Sequence, residues 1–474
     1  MYRAIATTAV LLLVLFSLPA MAELTKGPYL QSVTTDSVVV CFESDQSGQA
    51  TVEVGPDTSY GEVFTGDGIA FTHEGNTVYQ YKIPIDGLES DSLYFYRVVH
   101  DEVTTDDFNF VTEPDELVPF RFVVVGDSRG GSIGSPNPAH EAIVDLILEE
   151  APDLYFNTGD LVGSGANLDD WQYHFYAEQE LIPLVPLYPI FGNHEDDIEN
   201  GLTGDMNWRR YFDLPGADNH PTYYSFDYVN VHFIVVDIEK WWTLTLPNVA
   251  QNAWLRNDLQ DYLDNPKTNF VFVFFHEPPF SYKDGRTGNP LALLVLNPIF
   301  QDYGVDAVFE GHDHFYAHKV IGGIHHIVTG GGGAPLYDFQ PWPVPPSVPG
   351  YQAHDKSNHY MVVDVQSDMV TASAYRLDGT LIDELILEND PPQWPADDDT
   401  VDDDTVVDDD TVVDDDTVVD DDVVDDDVVD DDVTDDDVSD DDVADDDVAD
   451  DDVADDDIAD DDDDDDDDDD GCGC

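Results

Sequence analysis

Phe120-Arg121-Phe122-Val123-Val124-Val125-Gly126-Asp127-Ser128-Arg129 is the stretch on which the fold turns. A run that is apolar apart from Arg121 ends abruptly in a glycine and a carboxylate. A half-exposed strand would alternate; a near-continuous apolar run suits a strand buried on both faces of an α/β sheet. The period then changes. Pro138 to Glu150 sets Ala139, Ile143, Leu146 and Ile147 at helical spacing, and Leu154–Asn157 reads as a second short strand ending at Thr158-Gly159-Asp160. Tyr188–Phe191, Val231–Val236, Phe270–Phe275 and Ala307–Phe309 are further apolar runs, most of them followed by a polar loop. A helix is expected between Val249 and Leu263, burying Leu255, Leu259, Tyr262 and Leu263 on one stripe. Strands alternating with helices predict an α/β domain over residues 118–389, with polar groups delivered at strand C-termini.

Upstream, residues 23–114 read differently. Ser37–Phe42, Ala50–Val54, Thr77–Ile85, Leu93–Val99 and Phe108–Thr112 are rich in Val, Tyr, Phe and Thr and separated by Gly, Asp, Ser and Pro. Leu88 with Tyr94 and Tyr96 suggests the tyrosine corner of a fibronectin-like or immunoglobulin-like sandwich. Thr112-Glu113-Pro114-Asp115 punctuates its end. An all-β module therefore precedes the α/β domain.

The loops after the α/β strands carry an ordered series: Gly126-Asp127-Ser128-Arg129, Gly159-Asp160, Gly192-Asn193-His194-Glu195, His276, and Gly311-His312-Asp313-His314. Carboxylate, amide and imidazole ligands of this kind suit Zn, Mn or Fe. A glycine ahead of a ligand lets the chain turn sharply and brings backbone close to a metal or phosphate. One Gly-Asp or one histidine is usually scaffold; the whole series in order is not.

This order of Asp, Gly-Asp, Gly-Asn-His, His and Gly-His-x-His resembles the calcineurin-like metallophosphoesterase superfamily. The sandwich in front, opening Gly27-Pro28-Tyr29-Leu30-Gln31, resembles the N-terminal domain of purple acid phosphatases. The likeness covers about residues 27–389. It implies a four-layer α/β/β/α catalytic sandwich and a dinuclear centre of two divalent or trivalent ions, Fe, Zn or Mn. On that resemblance Asp160 would bridge metals roughly 3.5 Å apart, Asp127 and His314 would complete one, and Asn193, His276 and His312 the other. A metal-activated hydroxide would then hydrolyse a small phosphate ester, monoesters before diesters. His194, not a ligand, would stabilise the transition state or protonate the leaving oxygen.

Two departures stand out. Many superfamily members have His where Arg129 stands, and purple acid phosphatases have a metal-ligating Tyr where Gly163 stands. The Asp127 metal thus has one protein ligand fewer, and phenolate-to-iron charge transfer is not expected. For Arg129 two readings stay open: a planar fork for phosphoryl oxygens, or an ion pair with a nearby carboxylate. Arg286 is a weaker candidate for substrate binding. His325, His326, His354 and His359 are expected on the surface or in loops, with His325 the nearest to the site. Gly330–Gly333 is expected to make a tight turn beside the site, and Trp241 and Trp242 either line a cleft or pack.

The chain has 474 residues and a formal net charge of −89. Beyond Pro395 there are 47 Asp, in twelve triplets and a final run of 11, and no Lys or Arg. The first 396 residues keep 58 acidic and 16 basic residues, a net of −42. With no basic face to neutralise phosphates, nucleic-acid binding is excluded. Asp repeats at this density repel one another, so residues 390–474 are expected to be a disordered acidic tail that gathers Ca²⁺ or Mg²⁺ by charge alone. Its Gly471-Cys472-Gly473-Cys474 end reads equally as a cell-surface attachment signal or as a free, oxidisable terminus. Arg3, the apolar Ala9–Leu18 and Ala20-Met21-Ala22 make residues 1–22 a secretory leader, so the protein is expected to be exported to an extracellular, periplasmic or cell-surface location. The reading from another class is a cell-surface binding or matrix protein with a degenerate metallophosphoesterase site and a cation-gathering stalk.

Overall fold

The structure, a computed structural model, describes residues 24–389 apart from Ile133, Asn200, 217–219, Trp241, 244–245, Asn248 and 341–347, with backbone only at 242–243 and 246–247. The leader at 1–22, the tail at 390–474 with Cys472 and Cys474, and the side chains of Trp241 and Trp242 lie outside the described residues. Among the described residues no helix is long and apolar enough to cross a membrane.

The N-terminal region is a sandwich of two antiparallel sheets. One runs in the order Leu24–Gln31, Ser37–Ser44, Asn76–Asp86, Ile69–His73; the other in the order Glu62–Asp67, Gln49–Gly55, Leu93–His100, Val103–Thr104, with Phe108–Val111 also paired to Leu93–His100. The tyrosine corner is made by Tyr94, whose hydroxyl accepts the Glu89 N–H at 2.9 Å. Tyr96 does not share in it. Its hydroxyl reaches across to donate to the Pro183 carbonyl at 2.8 Å, so this tyrosine fastens the sandwich to the next domain. Tyr29 does the same with the Tyr211 carbonyl at 2.6 Å, and the Leu30 N–H reaches the Ile182 carbonyl at 2.9 Å. At the same seam Glu43 is buried between Lys26, at 2.6 Å, and Arg210.

The α/β domain holds two sheets face to face. The six-stranded sheet runs Leu187–Pro189, Leu154–Asn157, Phe120–Val125, His359–Val365, Met369–Arg376, Leu381–Glu388; its first three strands are parallel and the rest antiparallel. The seven-stranded sheet runs Tyr224–Tyr228, Val231–Val235, Phe270–Phe274, Ala307–Glu310, Ile324–Thr329, Tyr316–Ile321, Tyr351–Asp355. Side chains alternate between sheet faces, and here both faces are covered. Phe270, Phe272 and Phe274 point into the core between the sheets, where Phe274 stacks on Phe156 at 4.4 Å and Phe272 sits 5.9 Å from Phe122. Val271, Val273 and Phe275 point outward under Leu255, Leu259, Ile299 and Phe300 of the Val249–Asp264 and Asn297–Tyr303 helices. Helix Pro138–Glu150 lies against the six-stranded sheet, so the layers run α/β/β/α as expected.

Three readings are corrected here. Leu263 is 53% exposed, because two i+4 steps from Leu255 drift about 80° around the helix and carry it out of the stripe that Leu255 and Leu259 occupy. His354 and His359 lie on strands, not in a polar loop. His359 is buried because the Ser357 carbonyl and the Gly331 backbone close over it.

Candidate metal centre

Five strand ends meet at one edge of the two sheets. Phe120–Val125 delivers Asp127, Leu154–Asn157 delivers Asp160, Phe270–Phe274 delivers His276, and Ala307–Glu310 delivers His312 and His314. Asn193 and His194 come on a short 3-10 turn, Asn193–Asp196, after Leu187–Pro189. Asp127, Asp160 and His312 adopt left-handed backbone, with φ of 55°, 54° and 67°. Each such residue costs about 1 kcal/mol or more, a strain that persists where the surroundings enforce it.

The expected ligands are together. Ligand atoms of Asp127, Asp160 and His314 lie within 4.8 Å of one another, all buried. His314 Nε2 is 3.3 Å from Asp127 Oδ1, and His276 Nε2 is 3.2 Å from Asp160 Oδ1. Asn193 Oδ1 lies 3.2 Å from His276 Nε2 and 3.0 Å from His312 Nδ1. His194 Nε2 is 3.7 Å from Asp160 Oδ2, and Arg129 Nε is 3.5 Å from the same oxygen.

The scaffold fixes which nitrogen is presented. His276 Nδ1 donates to the Thr158 carbonyl at 2.9 Å and His314 Nδ1 to the Pro335 carbonyl at 2.6 Å, which turns both Nε2 atoms toward the Asp160 and Asp127 carboxylates. Glu195 organises the backbone: its buried carboxylate accepts the Asp160 and Gly192 N–H groups at 2.9 Å through Oε2, and that of Leu161 at 2.9 Å through Oε1. Asn137 caps helix Pro138–Glu150 and also donates to the carbonyls of Ser128 and Arg129, pinning the Asp127 loop. Gly159 has φ of +105°, and a Cβ there would stand 2.5 Å from His276 Nδ1. A Cβ at Gly330 would stand 2.7 Å from Asp127 Oδ2, so the 330–333 turn does press on the site.

The matching families are now decisive. Residues 120–316 match the calcineurin-like phosphoesterase model, and residues 27–112 match the purple acid phosphatase N-terminal domain. Residues 120–316 are a calcineurin-like phosphoesterase domain. The chain is 26% identical over 323 residues to an uncharacterised protein of Mycobacterium tuberculosis, covering 61% of each. It is 25% identical over 310 residues to purple acid phosphatase 23 of Arabidopsis thaliana, covering 58% of this chain and 65% of that one. It therefore spans less than two thirds of the length of these relatives. A purple acid phosphatase from yellow lupin seeds shares the fold, with a TM-score of 0.66 at 18% identity over 77% of this chain and 74% of that one.

The phosphoesterase site fits cations. Asp127 Oδ1 is buried and has no hydrogen-bond donor, and Asn193 Oδ1 faces two imidazole nitrogens. Burial works against charge on Asp160, yet His276, His194 and Arg129 together hold its carboxyl well below the usual range. Burial would likewise lower His276, but the Asp160 carboxylate overrides it and holds the imidazole well above its ordinary value. Burial, then His276 and Arg286, push His312 down to about 2, so it stays a neutral donor.

Some residues of the phosphoesterase site escaped sequence reading. Glu239 arrives after the Val231–Val235 strand, beside Glu277. Burial, then Glu277, hold its carboxyl well above the carboxylate range. The signal was an acidic pair, Asp237 and Glu239, at a strand end without a flanking glycine. Tyr337 stacks on His314 with centroids 3.9 Å apart, and Lys283 Nζ caps the tyrosine ring at 3.6 Å. Arg286 Nη1 donates to the His312 carbonyl at 3.1 Å and to Asp313 at 2.8 Å, so it buttresses the His312 loop. His325 and His326 stand apart on the Ile324–Thr329 strand, where His325 meets His318 at 2.9 Å and His326 pairs with Glu310 at 2.7 Å.

Proposed function

We propose that the protein is an exported, metal-dependent phosphoric ester hydrolase that acts on phosphate monoesters. The observation that carries this is the convergence of Asp127, Asp160, Asn193, His276, His312 and His314 at one strand edge, with donor atoms turned inward. Two ions would be held by Asp127 and His314 on one side and by Asn193, His276 and His312 on the other, with Asp160 shared between them. Bound there, two such ions supply a water made acidic at neutral pH and neutralise charge on phosphoryl oxygens.

The chain's own groups do the rest. His194 Nδ1 donates to the Gly163 carbonyl at 2.6 Å, which fixes the ring and leaves Nε2 to hold the proton that the departing alcohol takes. The His194 side chain is 28% exposed, so an ester can reach it. Arg129, its side chain 14% exposed beside Asp160, would offer its fork to the phosphoryl oxygens. The preference for monoesters rests on the likeness to purple acid phosphatases, and export rests on residues 1–22. The reading as a binding protein with a degenerate site draws on Arg129, whose guanidinium sits against a carboxylate that a metal would use.

Metal analysis after loading with Fe, Zn or Mn, beside turnover of p-nitrophenyl phosphate and its bis ester, separates the two. The expected result is two bound ions and faster monoester turnover. Asp160→Asn should lose metal and drop turnover by more than about a hundredfold, the effect of disturbing even an outer-shell partner being 10–100-fold. Arg129→Ala should raise KM at constant metal content. A wild-type protein that binds no metal and cleaves neither ester overturns the enzyme reading.

A further inference from the structure

Next to His312 the structure opens a cavity of about 460 Å³ that the reading above leaves unused. Its titratable lining consists of Glu239, Glu277, Arg286 and His312. Arg286 is engaged already, its Nη1 donating to the buried Asp313 carboxylate at 2.8 Å. Lys283 lies over the Tyr337 ring and Lys240 pairs with Asp205 at 2.7 Å, and neither lines the cavity. Glu277 is held through Oε2 by Asn289 Nδ2 at 2.5 Å, while its Oε1 stands 3.9 Å from His312 Nε2. Glu239 Oε1 is buried and has no hydrogen-bond donor. Two carboxyl groups thus share a wall in which the one lining cation among the described residues, Arg286, is already paired with Asp313. A buried acceptor without a donor is costly, and two like charges in one wall repel.

We propose that this cavity is the leaving-group subsite and that Glu239 and Glu277 make it select phosphate esters of amino alcohols. The inference rests on the phosphomonoesterase reading and names its substrate class. The ammonium group of the alcohol would sit between the two carboxyl groups, giving Glu239 Oε1 the donor it lacks and the positive charge beside which it ionises, its proton passing to solvent, while the phosphoryl group lies toward Asp160 and Arg129. The reaction stays a hydrolysis: water oxygen bonds to phosphorus, the P–O bond to the alcohol breaks, and the alcohol leaves with a proton. The ammonium is unchanged throughout. The carboxylates therefore act on binding and orientation only.

The test compares phosphoethanolamine with 2-hydroxyethyl phosphate, which carries a neutral hydroxyl in place of the ammonium, on the metal-loaded protein at low, fixed salt. A charge-assisted contact predicts kcat/KM about tenfold or more in favour of the amine. In Glu277→Gln that ratio should shrink, and in the Glu239→Gln, Glu277→Gln double variant it should fall to within about threefold of one. Being measured within one preparation, the ratio is insensitive to partial unfolding. A wild-type ratio near one, or a ratio that survives the double variant, overturns the proposal. Calorimetric titration of ethanolamine into metal-loaded protein with inorganic phosphate gives an arm independent of turnover. If no ester is cleaved, the phosphatase reading fails by itself, while ethanolamine heat that is present in the wild type and lost in the double variant still supports the subsite. Absence of that heat rejects it.

Discussion

The histidines in the body of the sheets and those at their edge are used in opposite ways. His326 spends both ring nitrogens inside the protein, Nδ1 on Glu310 at 2.7 Å and Nε2 on Asn297 at 3.0 Å. His232 does the same with Asp227 at 2.7 Å and Asp258 at 3.1 Å. At the edge, His276, His314 and His194 each give Nδ1 to a backbone carbonyl, and Nε2 faces oxygens of Asp160 or Asp127 at 3.2 to 3.7 Å. A carbonyl can only accept, so it fixes Nδ1 as the donor and turns the other nitrogen into the site. Burial does not separate the two groups. What separates them is the group at Nδ1, a carboxylate in the body of the sheets and a backbone carbonyl at the edge.

The sharpest way to break this contrast is to remove one histidine of each kind. His276→Ala should lose bound metal and reduce turnover by more than about a hundredfold. His326→Ala should keep its metal and instead cost on the order of 3 kcal/mol of stability, because Glu310 is left buried without its partner. Metal analysis and urea melts of both variants decide it, and exchanged outcomes would dissolve the distinction.

A smaller effect should appear with pH. Burial lowers His232, but Asp227 and Asp258 more than offset it and raise the imidazole to about 9. A raised folded value means the stabilisation is complete below the unfolded value of about 6.5 and is lost as pH rises through 9. The midpoint of thermal unfolding should therefore fall across that window, and His232→Gln should remove this part of the fall. A variant that follows the wild-type curve would show that the second carboxylate adds nothing.

The smallest effect concerns charge spread over the surface rather than any one ring. A body at −42 repels itself and its anionic substrates at low ionic strength. At about 1 M salt the screening length falls to about 3 Å. Residues 23–395 should then melt a few degrees higher than in dilute buffer and show higher kcat/KM at fixed catalytic metal. A flat response to NaCl together with a rescue by millimolar Ca²⁺ would point to specific cation binding in place of screening.

The edge of the site was legible because its residues come with punctuation. Asp127, Asp160, Asn193 and His312 each follow a glycine at the end of an apolar run, since the chain must turn there within one residue. Glu239 has no such marker: it comes in a turn four residues after the Val231–Val235 strand, and no glycine flanks it. The doubly buried strands Phe120–Val125, Leu154–Asn157 and Phe270–Phe274 announce themselves by composition. The exposed Glu62–Asp67 and Ile69–His73 strands do not, because water covers most of their side chains and their apolar pattern is weak. Leu24–Gln31 went unread as a strand, although its Gly27–Gln31 segment carried the family likeness. The His359–Val365 strand pairs with Phe120–Val125 from more than 230 residues away and carries Met369–Arg376 and Leu381–Glu388 with it, a partnership no local pattern reports.

Phe270–Phe274 has one further consequence. With hydrogen-bonded neighbours on both sides and a packed core on each face, its amides can meet solvent only when both cores open together. Deuterium should therefore enter this strand last among the described segments, at a rate set by global unfolding. His276 is anchored two residues beyond it, whereas His194 rides on a single 3-10 turn. The two imidazoles are thus held in different ways, His276 by a strand with neighbours on both sides and His194 by its hydrogen bonds to the Gly163 carbonyl and the Asp160 carboxylate.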